Sequence, residues 1–90
     1  MGRPYRVTLK ERELESMAQA HEQLADKLAF PAYYGANLDA LEDCLEDIHM
    51  PTRIVLRRDL DNPKPWFDDL IAVVKDSAQR SCFLGCSIRD

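Results

Sequence analysis

The chain has 90 residues, 46% of them apolar, with 16 acids against 12 bases and a net charge of -4, which suits one domain (residues 1–90) with its own core and leaves no room for two. No apolar run approaches the ~20 residues of a membrane-spanning helix, and the N-terminus lacks the apolar stretch of a secretory leader. These features set the membrane and secreted classes aside, three cysteines are an odd and sparse set for a disulfide framework, and the cytoplasm is the expected compartment.

In chain order, Tyr5-Arg6-Val7-Thr8-Leu9 alternates apolar and polar residues with β-branched character, which predicts a half-buried edge strand. Ser16 with Gln19 three residues on is a capping-box pattern, and Met17, Ala20, Leu24 and Leu28 then recur at helical spacing. Pro31 bounds that helix. Asn37 predicts the N-cap of a second helix, with Asp39 in its first turn, Leu38, Leu41, Leu45 and Ile48 as its buried stripe and Pro51 as its end. Thr52 to Arg57 holds three consecutive apolar residues, as expected of a central strand. Asn62-Pro63-Lys64-Pro65 starts a third helix, apolar enough to be deeply packed, and Cys82 to Ile88 reads as a closing strand. This order requires right-handed crossovers, so the expected fold is α/β: a two-layer, three-stranded parallel sheet of order 1-2-3 packed with about three helices.

The second helix carries Asp39, Glu42, Asp43, Glu46 and Asp47, with no Lys or Arg between residues 28 and 52. Acids at i and i+4, such as Asp39 with Asp43 and Glu42 with Glu46, repel by a few tenths of a kcal/mol per pair. A solvated, solubilising face is the plain reading; a surface that waits for a cationic partner is the functional one. Beside it, Tyr33 and Tyr34 form an extended dipeptide, expected to point one ring inward and one outward. An outward Tyr next to Gly35 has the make-up of an interface anchor. Nucleic-acid binding needs a basic groove, and the sign here is wrong, so no nucleic acid is expected as partner.

Catalytic signatures are missing: there is no Gly-x-Gly-x-x-Gly, no Gly-x-Ser-x-Gly, and only three glycines in all. Asp39 and Asp43 on a convex helix face lack the cleft that an acid–base pair needs to separate its pKa values. His21, His49, Cys82 and Cys86 do not fall at metal-ligand spacing, and the cysteines read as small buried apolar residues. No enzyme, metal or cofactor is expected.

Tyr33-Tyr34-Gly35, Asn37-Leu38-Asp39-Ala40-Leu41 and Asp43-Cys44-Leu45 resemble the barstar family, the intracellular inhibitors of the secreted bacterial ribonuclease barnase. The resemblance implies a three-stranded parallel sheet with helices, reduced cysteines, and an antitoxin-like function. The chain would cap the active site of a small basic ribonuclease, one to one, its carboxylates mimicking RNA phosphate. Carried over by position, Tyr33, Gly35, Asn37, Leu38, Asp39 and Asp43 match the family's contact residues, with Asp43 as the leading acid, and Asp76 on the third helix matches a peripheral one. With Glu42 and Glu46 of the same acidic face they form the expected partner-binding set. The chain departs from the family at three of these neighbouring places. Glu42 replaces an aromatic residue, Glu46 a neutral hydroxyl, and Arg80 a peripheral acid. An acidic interaction module for some other basic protein is the alternative.

Overall fold

The computed structural model describes residues 5–89. The elements are β1 (Tyr5–Lys10), a 3-10 turn (Glu11–Glu13), α1 (Met17–Leu28), α2 (Leu38–Glu46), β2 (Thr52–Arg57), α3 (Pro65–Arg80) and β3 (Leu84–Arg89). The three strands form one sheet in the order β1-β2-β3, both pairs parallel, with β2 in the centre as its apolar run requires. Register sets Val7, Ile54 and Cys86 abreast, and Leu9, Leu56 and Ile88 in the next row of the same face. Val7, Leu9, Ile54, Leu56 and Leu84 join Ala20, Leu24, Leu41, Leu45, Phe67, Leu70, Ile71 and Val74 in a single core cluster. The helices therefore lie on one face of the sheet, in the two-layer arrangement that the strand pattern predicts.

Local signals explain most of the boundaries. Ser16 caps α1, its Oγ accepting from the Gln19 amide, while the Gln19 side chain accepts from Glu15 N at 2.9 Å, one residue earlier than an ideal capping box. Lys64 caps α3 without a side-chain bond. The buried Glu11 carboxylate compensates by accepting from the amides of Asp59 and Lys64, which ties the loop before α3 to the end of β1 and fixes where α3 begins.

Three expectations need correction. The second helix stops at Glu46 rather than at Pro51, because Asp47 N bonds back to Asp43 and Cys44 and Ile48 N to Leu45 O, a tightened final turn that tucks Ile48 inward. β3 starts at Leu84 rather than Cys82, since Ser81 Oγ accepts from Phe83 N and holds a turn there. The cysteines are free and only partly buried: Cys86 packs half-buried against the core, Cys44 is half-buried on α2, and Cys82 is exposed in that turn.

Candidate functional site

α1 ends in a left-handed residue, Ala29 (φ 54°), and the chain then turns, Tyr34 N donating to Pro31 O at 3.0 Å. The two tyrosines separate as the extended dipeptide predicts. Tyr33 is 87% exposed. Tyr34 points in, its ring 4.9 Å from Phe30 and 5.7 Å from His21, with its hydroxyl 2.5 Å from His21 Nδ1. His21 is buried, and burial lowers its pKa; burial first, and the charge of Cys44 second, push the Tyr34 phenol up to about 12. Both partners thus stay neutral at physiological pH, and the loop is pinned from below through one hydrogen bond.

Ala36, left-handed at φ 52°, hands the chain to Asn37. Asn37 Oδ1 accepts from Ala40 N at 2.8 Å, capping α2, and its amide folds back to Gly35 O at 3.4 Å. A side chain at position 35 would put its first carbon 3.1 Å from that amide nitrogen, so any residue larger than Gly35 crowds the Asn37 side chain there. Leu38 is half-buried over the core.

Along α2 the acids fall into two groups. Asp39 and Asp43 are exposed, and among the described residues no cation of the chain lies within ion-pair distance of either. Glu42 and Glu46 face α3, where Arg80 meets both: Nη2 to Glu42 Oε1 at 2.5 Å and Nη1 to Glu46 Oε1 at 2.6 Å. The same guanidinium reaches Asp76, one turn back on α3, at 3.0 Å. The Glu42 hydrogen bond, chiefly, raises the pKa of Arg80; desolvation opposes it, and the charges of Asp76, Glu46 and Glu42 add to the rise. Three of the nine expected partner-binding residues are therefore already engaged within the chain, and among the described residues the expectation that this acidic face has no internal relief holds for Asp39, Asp43 and Asp47 but not for Glu42 and Glu46. Reading the sequence missed this clamp because Arg80 lies far along the chain from Glu42 and Glu46. The available signal was that all three departures from the family pattern involve charge, Glu42 and Glu46 adding acids where Arg80 adds a base.

The helix dipole sharpens the contrast. Asp39 sits in the favourable first turn of α2, whereas Asp43, Glu46 and Asp47 crowd its negative end, where there is no basic residue in the last turn. Among the described residues neither Asp43 nor Asp47 has an ion-pair partner, and of the two only Asp43 lies within the helix itself.

A family model described as Barstar (barnase inhibitor) matches residues 5–82. A protein of Bacillus subtilis (strain 168) bearing the name "Putative ribonuclease inhibitor YrdF" is 35% identical over 78 residues, covering 82% of this chain and 86% of that one.

Proposed function

The chain belongs to the barstar family, and from that premise we propose that it inhibits a small basic ribonuclease of the barnase type by covering its active site. Asp43 enters the cationic pocket that otherwise receives the RNA phosphate, Asp39 pairs with a second cation, and Tyr33 packs on the rim. Gly35 and the Asn37 cap let the loop backbone lie flat against the enzyme. The reaction is blocked by occlusion and charge mimicry, without catalysis and without a cofactor.

One observation carries this reading: two exposed acids, uncompensated within the described chain, stand on a capped helix beside a fully presented tyrosine. Asp43 is placed where both its i-4 neighbour Asp39 and the helix dipole disfavour it, a position that an external cation relieves. The test is to titrate the chain into barnase and follow RNA cleavage at low and high salt. Stoichiometric inhibition is expected, with an association rate that falls steeply as the screening length shrinks from ~10 Å at 0.1 M to ~3 Å at 1 M salt. Full inhibition by an Asp43→Ala variant at the parent's concentration would overturn the phosphate-mimicry part. Failure of the parent to inhibit any small basic ribonuclease would overturn the whole.

A further inference from the structure

The helices leave the other face of the sheet open, and its charge is opposite to that of α2. The three strands contain five basic residues and no acid: Arg6 and Lys10 on β1, Arg53 and Arg57 on β2, Arg89 on β3. All five have the parity opposite to the core-facing Val7, Ile54 and Leu84, so all project from the open face. Register gathers them into two rows: Lys10, Arg57 and Arg89 are direct neighbours across the sheet, and Arg6 stands beside Arg53. Like charges directly opposite one another destabilise a sheet, yet among the described residues no acid lies within 4.0 Å of Arg6, Arg53, Arg57 or Arg89, and Lys10 has only Glu13 at 3.9 Å. Arg53 instead lies across Gly85 and donates to Ser87 Oγ at 2.7 Å, keeping its guanidinium on this surface.

We infer that this face binds RNA along its phosphodiester backbone, without reading sequence. Neighbouring strands are ~4.8 Å apart, and the two rows, four residues apart along each strand, are separated by about 13 Å. That gives two separate lines of cations, each able to follow one phosphate backbone across the wide, shallow minor groove of an A-form duplex. Four of the five are arginines, whose guanidinium matches phosphate geometry. The row between them carries the hydroxyls of Thr8 and Ser87, partners of the kind a ribose 2′-hydroxyl can use. The strand residues of this face include no aromatic and no exposed apolar side chain, the central Val55 being buried; the exposed Leu60, with Glu13, Asp59 and Asp61, lies only at the rim beside Lys10 and Arg57. It therefore lacks the anchors of a protein interface and the apolar reach that strengthens membrane adsorption. The expectation of no nucleic-acid partner came from the acidic loop; the cations lie on the opposite side of the molecule.

The test is fluorescence anisotropy with a short labelled RNA duplex between about 50 and 200 mM salt. Five phosphate contacts give a slope of log affinity on log salt of about -4 to -5. Replacing exposed Lys10, Arg57 and Arg89 together by Gln should weaken binding more than tenfold at the lower salt and reduce the slope by about 2 to 3, with inhibition of barnase unchanged, since that surface lies on α2. An unaltered thermal midpoint of the triple variant confirms that the loss comes from charge and not from unfolding. Any of four results overturns the inference: no duplex binding by the parent at the lower salt; a slope unchanged in the triple variant; equal affinity for a DNA duplex of the same length; or adsorption to phosphatidylserine vesicles or self-association that the triple substitution abolishes while RNA is not bound.

Discussion

The two edges of α2 have similar acidity and opposite fates. On the loop side, Asp39 and Asp43 stand without a cation among the described residues; on the α3 side, Glu42 and Glu46 share Arg80 with Asp76. A count of acids along the helix treats them alike. What separates them is whether a base arrives from another element, and that separates side chains free to meet a partner from side chains whose charge is partly spent at home. Three carboxylates around one guanidinium still leave the clamped edge net negative, so it contributes to the long-range field while losing most of its freedom to form new short contacts.

The largest effect that tests this contrast is Asp43→Ala measured beside Glu46→Gln. Truncating one partner of a desolvated charge pair raises the dissociation constant by roughly 30- to 5,000-fold, about 2–5 kcal/mol, a general rule to which the barnase–barstar pair itself contributed. Asp43→Ala is expected in that range against barnase and Glu46→Gln within about threefold of the parent. Stability should move the other way: Asp43→Ala removes a repulsion at i-4 and a charge at the negative end of the dipole, and it improves helix propensity, a gain of about 0.5–1 kcal/mol by thermal or urea unfolding. A variant that loses both binding and stability would place Asp43 in the fold's own support rather than in the interface.

Arg80→Met probes the clamp directly. Freed of Arg80, Glu42 and Glu46 regain orientational freedom and the face gains one net negative charge. Stopped-flow association with barnase should then accelerate by roughly two- to tenfold at low salt, and the gain should vanish near 1 M salt. Glu42→Gln should matter little to the association rate in the parent and measurably in the Arg80→Met background. If the two substitutions act additively, the clamp does not govern what this edge offers to a partner.

How much of this could be read beforehand follows from how far each signal extends along the chain. The limits of β2, the caps at Ser16 and Asn37, the strand order and the opposite directions of Tyr33 and Tyr34 are local patterns of period or capping, and the structure agrees with them. The Arg80 clamp, the His21–Tyr34 bond and the Glu11 ties to Asp59 and Lys64 each join positions far apart in sequence, and residue type alone does not announce them. The basic sheet face belongs between these cases. Each cation's parity is visible in its own strand, but the rows exist only once parallel register is known.

The loop side of the contrast depends on its support from below, and Tyr34→Phe tests that. Leaving buried His21 Nδ1 without its partner should cost about 1–2 kcal/mol of stability, with Tyr33 still exposed and binding reduced through the loosened loop. The sign of the pH dependence follows from burial. The folded pKa of His21 lies below its ordinary 6.5, so the unfolded chain takes up the proton first. The stabilisation is complete above the unfolded value and is lost as pH falls through the folded one. Melting temperatures recorded from pH 7.5 downward should therefore fall more steeply in the parent than in a His21→Gln variant; parallel curves would mean that His21 is not held neutral by the fold.

The smallest expected effect concerns the residue that joins loop to helix. Ala36 holds a left-handed conformation at φ 52°, which costs a non-glycine residue about 1–2 kcal/mol. Ala36→Gly removes that strain but gives the unfolded chain extra freedom worth about 0.4–1 kcal/mol, so global stability should rise by no more than about 1.6 kcal/mol. Binding should move in the opposite sense. The loop must be ordered in the complex, and a glycine there adds freedom that association has to remove. Encounter depends on Asp39 and Asp43, which the substitution leaves alone, so the association rate should stay constant while dissociation from barnase quickens by roughly two- to threefold. A change in the association rate instead would mean that the loop, and not the uncompensated pair of acids, is what the enzyme meets first.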